Sequence, residues 1–349
     1  MDEIRQTLFR RGDGAFAYRI PTVIALRSGR VLAFCEARRD SLGDSGRIDI
    51  VMRAGDGLRF GPTRTVISGG GNTVGNPCPV QDPATGRLFL LYNANDADRP
   101  EPMILRGQGP RTVHLVYSDD EGDTWSSPRD ITPDVKKPDW TWYAVGPCHG
   151  AALPGGRLIF GCNHAVLDPT AGRSGPYVSH VIVSDDHGET WRIGPELGAG
   201  TNECALAPFE DGGLLINARY IPYGDGEANP QCRAQAYSPD GGAHFTETAL
   251  RRDLTDPVCQ GSLLTVRTAR GEEALLSTAA SVRRENLTVR RSADRGETWT
   301  TERVIEPGPS AYSDMARLPD GRIALVCEAG ADSPYERIDL HVFGLADEQ

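Results

Sequence analysis

The sequence lacks most of the signals that assign a chain to a class on sight. No apolar run approaches the roughly 20 residues that carry a helix across a bilayer; Leu88–Leu91 and Val113–Tyr117 are typical of what is present. No stretch sustains a 3.6-residue apolar period, so helices are expected only as short decorations. The cysteines form no C-x-x-C pair and the seven histidines no H-x-H or H-x-x-x-H, so no metal site is read. Cys148/His149 with Cys162/His164 could be drawn as a zinc site, but the spacing does not favour it. The first fourteen residues carry acids and arginines with no apolar stretch. No signal peptide is therefore read, and the expected location is the cytoplasm, or outside it as the mature part of an exported protein. Positive charge is also short: 37 basic residues against 48 acidic give a net −11. Neither nucleic acid nor an anionic membrane attracts such a protein, and neither is expected as a partner.

What is present suits a large folded core. The 349 residues are 39% hydrophobic and 24% charged, which excludes disorder and allows one large domain or two ordinary ones. The eight cysteines, Cys35, Cys78, Cys148, Cys162, Cys204, Cys232, Cys259 and Cys327, include several inside apolar strands. Buried free thiols are the expected state.

Repeats set the architecture. The octapeptide S-x-D-x-G-x-T-W occurs at Ser118–Trp125, Ser184–Trp191 and Ser292–Trp299, with a weaker copy at Ser238–Phe245 and a decayed one at Arg53–Phe60. A second motif, a Gly turn followed by a β-branched or Leu run, alternates with it and begins at Ser28, Thr85, Gly155, Asp211, Gly271 and Asp320. Each Gly marks a hairpin and each run a buried strand; a second strand, such as His114–Tyr117, His180–Val183 or Thr288–Arg291, leads into the octapeptide turn. Six such units predict an all-β, six-bladed β-propeller forming a single domain over residues 1–349. The last unit has no octapeptide, and Gln6–Arg10 is expected to supply its outer strand and close the ring. Ser and Asp of the octapeptide fix the turn and its Trp covers an apolar edge; several copies around a ring are structural, not several active sites.

Chemistry is sought where inner strands meet the central channel, at charged residues the fold does not require. These are Arg19 in Tyr18-Arg19-Ile20-Pro21, Arg38, Asp44, Glu203 in Asn202-Glu203, Arg219 in Asn217-Ala218-Arg219, Arg284, Tyr312 in Tyr312-Ser313-Asp314, and Glu328. Taken singly, each is more often a surface charge or a packed aromatic. Their combination with the octapeptides, in this order along the whole chain, resembles the exo-α-sialidases (neuraminidases) of the bacterial and animal type.

The resemblance implies a hydrolase that releases terminal α-linked sialic acids from glycans through a tyrosine nucleophile, without metal or cofactor. Arg19, Arg219 and Arg284 would grip the substrate carboxylate, with Arg284 preferred over its neighbour Arg283. Tyr312 would be the nucleophile, Glu203 its base, Asp44 the acid/base, Arg38 the contact to the 4-hydroxyl, and Glu328 the acid that orients Arg19. Physical chemistry agrees: guanidinium binds carboxylate bidentately, and a neutral phenol approaches an anionic centre more readily than a carboxylate does. At pH 7 only about one phenol in 10³ is ionised, a deficit assigned to Glu203 and the arginine field. Asp44 must be protonated to assist departure, which implies an acidic optimum. Asn76, Tyr177 and the insertion 96–109 are expected at the rim or acyl pocket, and Trp140 with Trp142 as an aromatic wall near the aglycone. Two departures from the family pattern, Cys148 for a Gly and Cys327 for an aromatic, are expected to affect packing only. A trans-sialidase, an enzyme preferring the deaminated acid (Kdn), and a non-catalytic sialoglycan-binding propeller are the alternatives.

Overall fold

The computed structural model describes residues 3–168, 173–223 and 228–346. Strand β1 (Ile4–Arg10) comes first, and four-stranded antiparallel meanders follow one another along the chain. The first holds β2 (Ala17–Ala25), β3 (Val31–Arg38), β4 (Ile48–Gly55) and β5 (Arg64–Ile67). The second holds β6 (Thr73–Gln81), β7 (Leu88–Asn95), β8 (Thr112–Ser118) and β9 (Arg129–Asp130), with the single-turn helix α1 (Glu101–Ile104) between β7 and β8. After a second short helix, α2 (Thr132–Val135), β10 (Trp140–Val145) and β11 (Ala151–Ala152) pair with β12 (Leu158–Asp168), followed by β13 (Arg173–Ser184) and β14 (Arg192–Ala199). The fourth comprises β15 (Thr201–Pro208), β16 (Leu214–Tyr220), β17 (Cys232–Ser238) and β18 (Ala249–Thr255).

The fifth begins with β19 (Ser262–Thr268), β20 (Gly271–Ala279) and β21 (Glu285–Ser292) and ends on the first half of β22 (Thr300–Arg317). The second half of β22 then opens the last meander, with β23 (Ile323–Ala329) and β24 (Arg337–Phe343). As expected, the N-terminal strand completes this unit: β1 pairs with β24 from Ile4 opposite Val342 to Arg10 opposite Arg337.

Each interface between consecutive meanders is an apolar cluster. Phe34, Met52, Leu90 and Val116 join the first to the second, Phe89, Val145, Phe160 and Trp191 the second to the third. Leu8, Phe9, Val23, Val326 and Leu340 join the last to the first. All eight cysteines are buried free thiols, and burial raises the pKa of each above the ordinary thiol value.

The octapeptides act as staples between neighbouring sheets. The Ser184 hydroxyl accepts the Gly188 amide at 2.8 Å, and Asp186 accepts the Thr190 amide at 2.9 Å; Asp120 and Asp294 repeat this pattern. Gly188 has φ +85°, and a Cβ there would collide with the Phe89 ring of the preceding meander, so the turn requires glycine. Trp191 then packs edge-on against Phe89 at 6.2 Å and against Phe160 at 5.5 Å.

Two measurements check this packing. Trp191→Ala, at a side chain only 4% exposed, should lower unfolding stability by about 3–5 kcal/mol, read as a reduced urea midpoint. Native protein should show almost no thiol reactive to Ellman's reagent, whereas the unfolded chain should titrate all eight cysteines.

Candidate active site

The site is built where the innermost strands break register. The breaks lie between Arg19 and Thr22 in β2, Gly75 and Cys78 in β6, Thr201 and Cys204 in β15, and Ser310 and Ser313 in β22. A β-bulge re-aims one side chain out of the alternating pattern; here these are Arg19, Asn76, Glu203 and Tyr312, and all four line one cavity of about 420 Å³. Ile20 and Asn76 sit at φ 57°, a conformation that costs a β-branched residue about 1–3 kcal/mol. Gly75 has no room for a side chain, since a Cβ would collide with the Glu36 carboxylate.

Arg38, Asp44, Arg219 and Arg284 line the same cavity, so seven of the eight expected residues do. The eighth, Glu328, lies behind it, fully buried. Glu328 accepts Arg19 Nε at 2.7 Å and Nη2 at 3.2 Å, and the amides of Ile20 at 2.9 Å and Tyr312 at 3.3 Å. Arg283 points elsewhere: its side chain is 80% exposed beside Glu285.

The Tyr312 hydroxyl donates to Glu203 Oε1 at 2.6 Å, while Arg219 Nη1 lies 2.9 Å from Glu203 Oε2 and 3.2 Å from the same hydroxyl. The guanidinium groups of Arg19 and Arg284 lie over the Tyr312 ring at 5.3 and 5.4 Å. Burial and then Glu203 push the phenol pKa well above 10, against the pull of Arg219 and Arg284. The arginine field therefore does not ionise Tyr312 at rest, and the phenol is neutral.

Asp44 is held by two arginines. Its side chain is 71% exposed at the cavity mouth, 2.7 Å from Arg38 and 3.8 Å from Arg19. The surrounding protein opposes its charge, but Arg38 and then Arg19 outweigh this, and its pKa falls below the ordinary carboxylate value. In the resting site Asp44 is thus an ion-paired carboxylate, and the protonated form that its expected role needs at the moment of departure is disfavoured there.

The arginines differ in how their charge is answered. Arg19 has Glu328, Arg38 has Glu36 and Asp44, and Arg219 has Glu203. Among the described residues Arg284 has no carboxylate within ion-pair distance; its partners are the Tyr335 hydroxyl at 2.8 Å and the Val258 carbonyl at 3.3 Å.

Several lining residues escaped sequence analysis. Arg111 donates to the Tyr143 carbonyl at 2.7 Å and to Asn95 at 2.6 Å, and stacks 4.2 Å from the Trp142 ring. Glu101, within the expected insertion, accepts the Tyr177 hydroxyl, and burial raises its pKa despite that bond. Glu36 accepts the Asn76 amide at 2.9 Å and grips Arg38. None of these stands in a motif that signals it. Trp142 lines the cavity, but Trp140 does not: it stacks on His164 at 3.6 Å within the core, because the register of β10 against β12 breaks between the two tryptophans and the usual two-residue alternation does not carry across.

Below the site Asp314 is buried and accepts the Val23 amide at 3.1 Å and the Ser262 hydroxyl at 2.7 Å, and pairs with His149 at 2.8 Å. Among the described residues one carboxylate–histidine group comes within metal-ligating distance, Glu306, Asp339 and His341. Its carboxylates are already taken by Arg5 and Arg337, so it reads as an ion-pair network.

Comparison with known proteins agrees with this arrangement. A BNR repeat-like domain matches residues 29–325. A sialidase of Micromonospora viridifaciens is 30% identical over 94% of this chain and 52% of its own length. An exo-alpha-sialidase of Arthroderma benhamiae is 31% identical over 91% of this chain and 79% of its own. Among solved structures, the Hadza microbial sialidase Hz136 superposes with a TM-score of 0.84 at 25% identity, over 99% of this chain and 69% of that one. The chain spans about half the length of some relatives it matches, 52% of the bacterial enzyme and 56% of human Sialidase-4. A domain match across most of the chain and a relative above 30% identity over most of both lengths are sufficient: the chain belongs to the sialidase family.

Proposed function

We propose that this protein is an exo-α-sialidase that hydrolyses terminal α-linked sialic acids on glycans, with retention of configuration, in a single six-bladed propeller domain. The propeller reading rests on the meanders, whose innermost strands touch in succession: β2 against β6, β6 against β11, β11 against β15, β15 against β19, β19 against β22, and β22 against β2. The observation that carries the activity is the hydrogen-bonded Tyr312–Glu203 pair set beneath Arg19, Arg219 and Arg284.

In this reading the substrate carboxylate lies against Arg284, the one clamp arginine without a carboxylate partner, and is flanked by Arg19 and Arg219. Glu203 takes the phenolic proton as Tyr312 Oη attacks the anomeric carbon, and Asp44 gives a proton to the departing oxygen. Water then attacks the glycosyl-tyrosine with Asp44 as base, and the proton on Glu203 returns to Tyr312. Two displacements leave the configuration unchanged. A bound carboxylate offsets the charge of Arg19, weakening its hold on Asp44 and raising that group's pKa towards the protonated form the step needs.

A fluorogenic α-sialoside assayed at pH 4–7 tests the proposal. Wild type should release the fluorophore, and NMR should find the α-anomer as first product; no release, or an initial β-anomer, would sink the reading. Tyr312→Phe should abolish release by this route, and Glu203→Gln should lower kcat by about 10²–10⁴-fold, both with unfolding midpoints near wild type. The pH profile carries its own sign. Asp44 must be protonated to act, so activity falls as pH rises through its pKa. Because a bound carboxylate raises that pKa, the falling limb of kcat should lie at higher pH than that of kcat/KM. Arg38→Ala removes the largest cause of the depression and should move both limbs upward while raising KM.

A further inference from the structure

The inner strands do not end at the active site. β2 runs on from Arg19 to Ala25, β6 from Asn76 to Gln81, and β22 from Tyr312 to Arg317. At their far ends lies a second cavity, of about 260 Å³, that shares no lining residue with the first. Every meander except the fourth contributes to it, through Ala25, Gln81, Ala152, Leu264 and Arg317 among others. Ala25, Ala152 and Leu264 are only half-buried there, so an apolar wall meets solvent.

Its charge is of one sign. Arg27 and Arg317 are exposed at the mouth, and no lining residue is acidic. Arg27 donates to the Pro83 carbonyl, and neither arginine has a carboxylate within ion-pair distance among the described residues. The arginines that follow the turn glycines are different: Arg30 pairs with Asp123, Arg87 with Asp119, Arg157 with Asp185 and Arg322 with Asp320. In a chain of net charge −11, two unanswered cations around one apolar cavity are a local exception.

The floor is polar. His149 lines the cavity with its side chain 15% exposed, and its Nδ1 lies 2.8 Å from Asp314, which also ties down the Val23 amide and the Ser262 hydroxyl. Burial opposes charge on the ring, but Asp314 outweighs it and raises the His149 pKa. The other ring nitrogen, Nε2, has no protein partner among the described residues. Three residues of strand separate Asp314 from Arg317, about 10 Å. Cations at the mouth, an apolar wall and a ring nitrogen at the floor thus follow one another along the channel. A carboxylate fits the mouth, where guanidinium can grip it; at the floor it would stand beside Asp314 and be repelled. A hydroxyl fits the floor, since it accepts from a protonated imidazole and donates to a neutral one. A water's share of liquid is about 30 Å³, so the space suits a body of about nine non-hydrogen atoms.

We propose that this cavity is a second binding site, for a small carboxylate whose apolar body ends in a hydroxyl, with the carboxylate on Arg27 and Arg317 and the hydroxyl on His149. It does not depend on the sialidase reading. Calorimetric titration of the full chain with 4-hydroxybenzoate tests it, and the expected Kd is about 1 mM or tighter. Benzoate, which lacks the hydroxyl, should bind at least about fivefold more weakly. The uncharged isostere 4-hydroxybenzamide should lose at least about fivefold as well, and so should 4-hydroxybenzoate on the double variant Arg27→Ala with Arg317→Ala. Both arginines are exposed, so the variant should keep the wild-type unfolding midpoint, and Arg284→Ala, at the other end of the channel, should leave the affinity unchanged. Absence of binding overturns the proposal. So does equal affinity for benzoate or the amide, inorganic phosphate bound as tightly as the aryl acid, or undiminished affinity in the double variant. A loss of affinity in Arg284→Ala would place the ligand in the active site and overturn it too.

Discussion

The site depends on one buried carboxylate. Glu328 is fully buried, and such a charge is tolerated only when it is paired and hydrogen-bonded. It receives both ends of the Arg19 fork and the amides of Ile20 and Tyr312. These bonds join the first strand of the first meander to the first two strands of the last. The same side chain therefore aims Arg19, holds Ile20 in its strained left-handed conformation, and fixes the backbone that carries Tyr312. A shift of Glu328 would move the Arg19 guanidinium and the phenol together, which keeps their separation constant.

A net charge of −11 exerts no long-range pull on an anion, so on the reading proposed above recognition arises within the cavity. That cavity is not simply positive. Most of its arginines are spoken for by Glu328, Glu36, Asp44 or Glu203. Pairing limits their mutual repulsion and freezes their geometry. Among the described residues Arg284 and Arg111 are the cavity arginines without a carboxylate at ion-pair distance, and hydroxyl, amide or carbonyl oxygens hold them in place of one.

Much of this was legible in the sequence, for a physical reason in each case. The octapeptides and Gly turns are local: Ser184, Asp186 and Gly188 bond within a few residues, so their pattern survives in one dimension. The pairing of β1 with β24 followed from counting strands against turns. The residues Arg19, Glu203, Arg219, Tyr312 and Glu328 stood in short distinctive contexts. Arg111, Glu36, Glu101 and Tyr335 did not, since they meet the site through partners far away in the chain, an approach that no spacing encodes. Asp44 was legible as a candidate, but its ion pair with Arg38 at 2.7 Å was not. Trp140 was misplaced for a similar reason: its neighbour Trp142 faces the cavity, while Trp140 stacks on His164 in the core.

The Tyr312–Glu203–Arg219 group explains how a phenol made less acidic by its surroundings can still act as the proposed nucleophile. Burial penalises phenolate, and the charge of Glu203 penalises it further. That second penalty exists only while Glu203 is ionised. Moving the proton across the 2.6 Å hydrogen bond neutralises Glu203 as it charges Tyr312, so the group holds one negative charge before and after. Arg219 Nη1 lies within hydrogen-bond distance of both oxygens and can favour the charge on either without moving. Arg19 and Arg284, over the ring at 5.3 and 5.4 Å, add fixed positive charge beside the phenol. The raised pKa of the isolated titration is therefore not the barrier to attack, because the reaction transfers a charge within a preorganised field and does not create a second one.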